Sequence, residues 1–228
     1  MWFVLILTSL LALSVASSPL LIDLPDGKIQ GFKLNAYHAY RGIPYAAPPT
    51  GNNRWVPPQP VEPWKPAILS TTEFKANCLQ PTPPCWYSIN KAKESSEDCL
   101  YLDVYVPNVK SNENGQTDQN KLRSSGQNDQ SRAVMVWIHG GDYQYGGSND
   151  KETEHPPPYP RLANVIYVSV NYRLSVFGYL GSEHLRSRDV TTPRSTGNYG
   201  AQDQRAAIKW VKDNVAAFGG DPSRITIF

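Results

Sequence analysis

Two hydrophobic periods run along this chain. From Leu20 to about Trp64, apolar residues come in short runs broken by turn residues, the pattern of short strands. Asp26-Gly27 is suited to close a hairpin between Leu20–Pro25 and Lys28–Leu34. Tyr40–Tyr45 predicts a further strand, ended by Pro48-Pro49, and the five prolines between Pro57 and Pro66 predict an extended surface segment. Leu100–Val106 is a run of β-formers stopped by Pro107. Ala133–Ile138 and Asn164–Val170 are continuously apolar, as strands buried on both faces of a parallel sheet are. Between Gly200 and Phe218 the period changes: Ile208, Val211, Val215 and Phe218 recur at helical spacing, with Asn198 placed as N-cap and Gly219 or Gly220 as the stop before Pro222. Ile225–Phe228 then begins another buried strand. Strand, strand, helix, strand is α/β layering, and the helix that should cover the last strand is not among these residues.

Other stretches modify that picture. Trp2–Leu13 is apolar and uncharged, and Ser14-Val15-Ala16 supplies small residues, so residues 1–16 read as a signal peptide and the protein as secreted. No later run is long and apolar enough for a transmembrane helix. Ser111–Arg132 holds one aliphatic residue, Leu122, and is expected to be a disordered surface insertion within the domain that occupies 17–228. An oxidising compartment favours one disulfide among Cys78, Cys85 and Cys99, and spacing leaves all three pairings open. A net charge of +2 does not suit a nucleic-acid binder. His38, His155 and His184 have no metal-ligand spacing, so neither a metal nor a cofactor is expected. No Asn-x-Ser/Thr acceptor occurs.

Several segments, in order, resemble the type-B carboxylesterase and cholinesterase family. Arg41-Gly42-Ile43-Pro44-Tyr45-Ala46 is the first. Glu97–Val104 (EDCLYLDV) is similar to the signature E-D-C-L-Y-L-N-[IV]. Trp137-Ile138-His139-Gly140-Gly141, followed by Gly146-Gly147, resembles the family's glycine-rich loop after a central strand. Val170–Gly178, Gly197–Arg205 and Phe218–Phe228 complete the set. The resemblance implies an α/β-hydrolase with a mostly parallel central sheet. It also implies a serine nucleophile on the strand-to-helix turn directly after the strand on which Phe228 stands. On that reading none of the catalytic triad is present, and the chain is the N-terminal part of the domain.

Residue roles follow from the same resemblance. Gly140, Gly141 and Asp142 would form the oxyanion hole through main-chain N–H groups. Asp142 departs from the usual glycine or alanine; its carboxylate would oppose a developing oxyanion, and neuroligin-type adhesion relatives also lack glycine there. Cys78 and Cys99 would form the family's first disulfide, with Cys85 left over, and Arg54 and Glu97 a structural ion pair. Trp86 is expected to pack within the disulfide loop and His139 to be structural, while Tyr143 and Tyr145 are candidates to line a pocket. Asn171, Arg173, Asn198, Asp203 and Gln204 are expected to satisfy backbone groups at the base of the site. The implied partner is a small-molecule ester, or another protein if the parent is non-catalytic.

Overall fold

The computed structural model describes residues 20–34, 37–81, 95–108, 131–149, 163–190, 194 and 196–228. The signal-peptide reading of 1–16, Cys85, Trp86 and most of the 111–132 insertion lie outside these residues. The end of that insertion needs correcting, because Arg132 opens a strand. Its N–H donates to Gly219 O (2.9 Å) and its Nε to Asn164 Oδ1 (3.0 Å).

The strands are β1 (Leu20–Leu24), β2 (Gly27–Leu34), β3 (Tyr37–Pro44), β4 (Ile68–Ser70), β5 (Asn77–Cys78), β6 (Ser95–Ser96), β7 (Tyr101–Pro107), β8 (Arg132–Ile138), β9 (Ile166–Val170) and β10 (Gly220–Ile227). The main sheet runs β1-β2-β3-β7-β9-β8-β10, with β4 parallel to β2. It is mixed. Pairing is antiparallel from β1 through β9, whereas β9, β8 and β10 are mutually parallel. The parallel part coincides with the continuous apolar runs: every residue of β9 is buried, while β2 alternates buried and exposed over its first five positions. β5 and β6 form a separate small parallel pair.

Three helices follow β9: α1 (Ser175–Tyr179), α2 (Glu183–Arg188) and α3 (Tyr199–Asn214), the last continued by a 3₁₀ turn over Val215–Phe218. Asp203, Ala207, Trp210, Val211, Asn214, Val215 and Phe218 are its buried stripe; Ile208 lies at the margin. That stripe covers one sheet face, against Val134, Val136, Ile166 and Val168. Trp210 and Phe218 carry the packing out to Tyr40 of β3 through edge-on and tilted ring contacts. The opposite face has a smaller aromatic cluster of Tyr37, Tyr105 and Tyr167.

Two boundary expectations change. Asn198 stands at the N-cap position, but its φ of 53° is left-handed and its side chain makes no capping bond, so α3 starts without the side-chain cap the sequence suggests. Strand β10 begins at Gly220, not Ile225, and tolerates Pro222 because its register against β8 slips between Gly220 and Ile225.

Candidate active site

The carboxyl ends of β8, β9 and β10 point to one edge of the sheet, where ligands bind in open α/β structures. The antiparallel β7 starts at that edge, so Tyr101 and the preceding Cys99 are brought there too. Phe228 joins them: Ile138 N–H donates to Phe228 O (3.0 Å).

His139, the first residue after β8, is 2% exposed. Its ring stacks on Tyr172 with centroids 4.4 Å apart, and the Tyr172 hydroxyl donates to His139 O (2.7 Å). Nδ1 lies 2.9 Å from Gly140 O, an acceptor, so the proton is assigned to Nδ1. Burial pushes the imidazole down to about 4, keeping it neutral at physiological pH. A Cβ on Gly146 would collide with the same ring. The histidine is a wedge that shapes the loop.

The loop then turns through three successive positive φ angles: Gly141 at 107°, Asp142 at 54° and Tyr143 at 61°. The last two are non-glycine residues in left-handed conformation, each costing about 1–2 kcal/mol. Compensating bonds hold them. Gly141 O accepts from Gln144 N (2.9 Å) and Tyr145 N (3.0 Å), and Tyr143 O accepts from Ser175 N (2.7 Å). Ser175 is itself left-handed at 52°. The Gln80 side-chain amide brackets Gly146, accepting its N–H (2.9 Å) and donating to its carbonyl (2.8 Å). Ser148 N donates to Asn171 Oδ1 (2.7 Å), and Asn171 Nδ2 to Ala76 O (3.1 Å). Among the described residues, nothing accepts the Gly141 or Asp142 N–H. Asp142 is exposed, Tyr143 is 60% exposed with its ring against Tyr179, and Tyr145 is half-buried.

Cys78 and Cys99 form a disulfide, the one expected among the three pairings. Beside it, Arg54 donates from Nε and Nη2 to both oxygens of Glu97, at 2.5 and 2.6 Å. Arg173 lies deeper, donating from N, Nε and Nη2 to Asp203 and from Nη1 to Val56 O. Gly178 and Gly200 close on the Arg173 carbonyl, where a Cβ at either would collide. Asn171 and Arg173 therefore bind backbone as expected.

Sequence reasoning missed Asp103, Ser148 and Gln80. Asp103 is buried in β7, and its carboxylate accepts from Gly42 N (2.8 Å), Ser148 Oγ (2.8 Å) and Ser169 Oγ (3.4 Å). A polar residue inside an apolar strand was the available signal. Gln80 had none. Among the described residues, no group of three His, Cys, Asp or Glu side chains could hold a metal, and no helix is long and apolar enough to cross a membrane.

A mixed sheet with α3 on one face and a glycine-rich turn at the carboxyl edge of its parallel strands defines an α/β-hydrolase. Within that class the chain belongs to the carboxylesterase family, whose sequence profile matches residues 18–228. It is 37% identical to para-nitrobenzyl esterase of Bacillus subtilis over 89% of this chain and 36% of that protein. With Carboxylesterase 1F of Mus musculus it shares 37% identity over 93% of this chain and 35% of that protein. Neuroligin-3 of Mus musculus is 35% identical over 89% of this chain and 26% of its own length. A solved structure of a PNB esterase superposes with a TM-score of 0.75 at 34% identity, covering 91% of this chain and 38% of the other. The chain thus spans about a third of the carboxylesterases it matches.

Proposed function

We propose that the full-length protein is a secreted carboxylic-ester hydrolase of low turnover, working through a serine acyl-enzyme. In this reading residues 1–16 are a signal peptide, and 17–228 form the N-terminal part of the catalytic domain. On the same reading the serine, acid and histidine of the triad lie outside these 228 residues. Their share of the chemistry is the oxyanion hole. The Gly141 and Asp142 N–H groups, left without acceptors among the described residues at the carboxyl edge of the sheet, carry the proposal, with Gly140 shaping the turn.

Asp142 limits the rate. Two like charges about 5 Å apart repel by roughly 3 kcal/mol at an effective dielectric of about 20, and solvent screening of an exposed carboxylate reduces that. Hydrolysis of p-nitrophenyl acetate by the full-length protein tests the reading. Asp142→Gly should raise kcat/KM by about tenfold to a hundredfold, since each 1.4 kcal/mol is tenfold. An unchanged rate refutes the role given to Asp142. No turnover by either form, with no labelling by a fluorophosphonate serine probe, refutes the enzyme.

The same carboxylate, with the likeness to neuroligin-3, favours a second reading: a non-catalytic relative that works by contact with another protein. The third residue after Phe228 in the complete coding sequence, where a G-x-S-x-G turn would put the nucleophile, separates the two, serine for the first and any other residue for the second. For export, amino-terminal sequencing of the protein from medium should begin at Ser17; an intact Met1 would refute the leader.

A further inference from the structure

We propose that the sheet edge opposite the glycine-rich loop binds a small amphipathic organic anion, a carboxylate on a short aliphatic body. At this edge β8 begins with Arg132, β7 ends with Pro107 and β3 begins with Tyr37, so it is the far end of the sheet from His139. A cavity of about 430 Å³ opens there, within the size range of small-molecule sites. Ile22, Tyr40, Val106 and Phe218 supply its apolar wall, and His38 and Arg132 its polar end. The wall is rigid, because Tyr40, Val106 and Phe218 belong to the main core and the Tyr40 and Phe218 rings meet edge-on at 5.2 Å.

Among the described residues, the polar end is positive without a counter-charge. Arg132 is fixed by its strand and by the Nε bond to Asn164 Oδ1, leaving its two terminal nitrogens pointing to no acceptor among the described residues. No carboxylate stands within ion-pair distance of it among those residues. Asp221, which follows the residue paired with Arg132 in the ladder, is taken by Ser223 and Arg224. Lys33 faces His38 across β2 and β3, and burial together with Lys33 and Arg132 holds the His38 imidazole below its usual range. Burial likewise pulls the Arg132 guanidinium down. A half-buried guanidinium with unused donors is unfavourable alone, and its planar fork matches a carboxylate. The apolar wall then selects a carboxylate with a tail over a bare inorganic anion.

Titration calorimetry of the whole protein with octanoate, octan-1-ol and inorganic phosphate tests this. Octanoate should bind at least about tenfold tighter than either of the others, and Arg132→Gln should weaken octanoate by about tenfold, the loss of one charge-assisted pair. Arg132→Lys should lose less, and octan-1-ol should be indifferent to both. Ile22→Trp, at the partly exposed rim, should fill the cavity and abolish binding with the melting transition retained. Where Arg132→Gln does not fold, the His38 ring resonances of the unmodified protein must shift on adding octanoate. Equal affinity for octanoate and octan-1-ol, phosphate binding as tightly as octanoate, an unaffected Arg132→Gln, or silent His38 resonances would each overturn the site. The readout is binding alone, independent of ester turnover.

Discussion

Asp103 and Asp203 are both sealed from solvent, at 1% and 0% exposure, yet the protein gives them different kinds of partner. Asp203 sits at the start of α3 against a guanidinium, with three donors from Arg173 on its two oxygens. Burial pushes its carboxyl up, and Arg173 offsets that only in part. Asp103 is met by one N–H and two hydroxyls, with Arg41 near enough to act on it but directing its Nε to the Tyr105 hydroxyl. Burial wins there as well, and the carboxyl is pushed up to about 6. Dipoles orient a buried charge; they do not neutralise it.

Removing the counter-ion gives the largest effect. Arg173→Met strands Asp203 and the Val56 carbonyl, and should lower unfolding free energy in urea by about 3–5 kcal/mol. A loss below about 1 kcal/mol would show that Asp203 does not need its partner, erasing the contrast.

Asp103→Asn should act the other way, and only in part of the pH range. With a folded value of about 6 and an unfolded value of about 3.9, the ionised form is disfavoured on folding. This group therefore takes stability away as pH rises from about 4 to about 6, a total of roughly 3 kcal/mol. The amide keeps an acceptor for Gly42 N–H and offers Nδ2 to the Ser148 and Ser169 hydroxyls, and it restores the residue of the family signature. Urea unfolding should find the variant more stable than the parent at pH 7.5 and equal to it near pH 4. A constant offset at both would exclude titration of Asp103 as the cause.

The smallest effect is expected from Ser148→Ala, which removes one donor to Asp103. It should lower stability by about 1 kcal/mol at pH 7.5 and less near pH 4, and move the pH transition upward. A downward movement would mean that the hydroxyl is not stabilising the charge.

The parallel strands and α3 were legible because burial on two faces, or on one helical stripe, leaves a local pattern; a wholly apolar run such as that around Ile166–Val170 needs no partner to be recognised. The antiparallel half was legible as strands but not as a sheet. The pairing of β3 with β7 joins residues some sixty positions apart, and no local pattern encodes it. The glycine-rich loop could be placed from its sequence, whereas the left-handed Asp142, Tyr143 and Ser175 could not, since Tyr143 is tied to Ser175, 32 residues on, by a main-chain bond that no local pattern encodes. The cavity at the far edge was invisible for the same reason, its lining being drawn from β1, β3, β7, β8 and the turn after α3.

The Arg173 clamp also sets a timetable. Its guanidinium joins Val56, 117 residues earlier, to Asp203, 30 residues later. During synthesis the early hairpins and β9 emerge before α3, and until Asp203 arrives any docking through Arg173 would bury a lone cation. At about 5–20 residues per second the missing 30 residues take a few seconds to appear. For that interval Arg173 has no counter-charge, and it is helix α3 that supplies one.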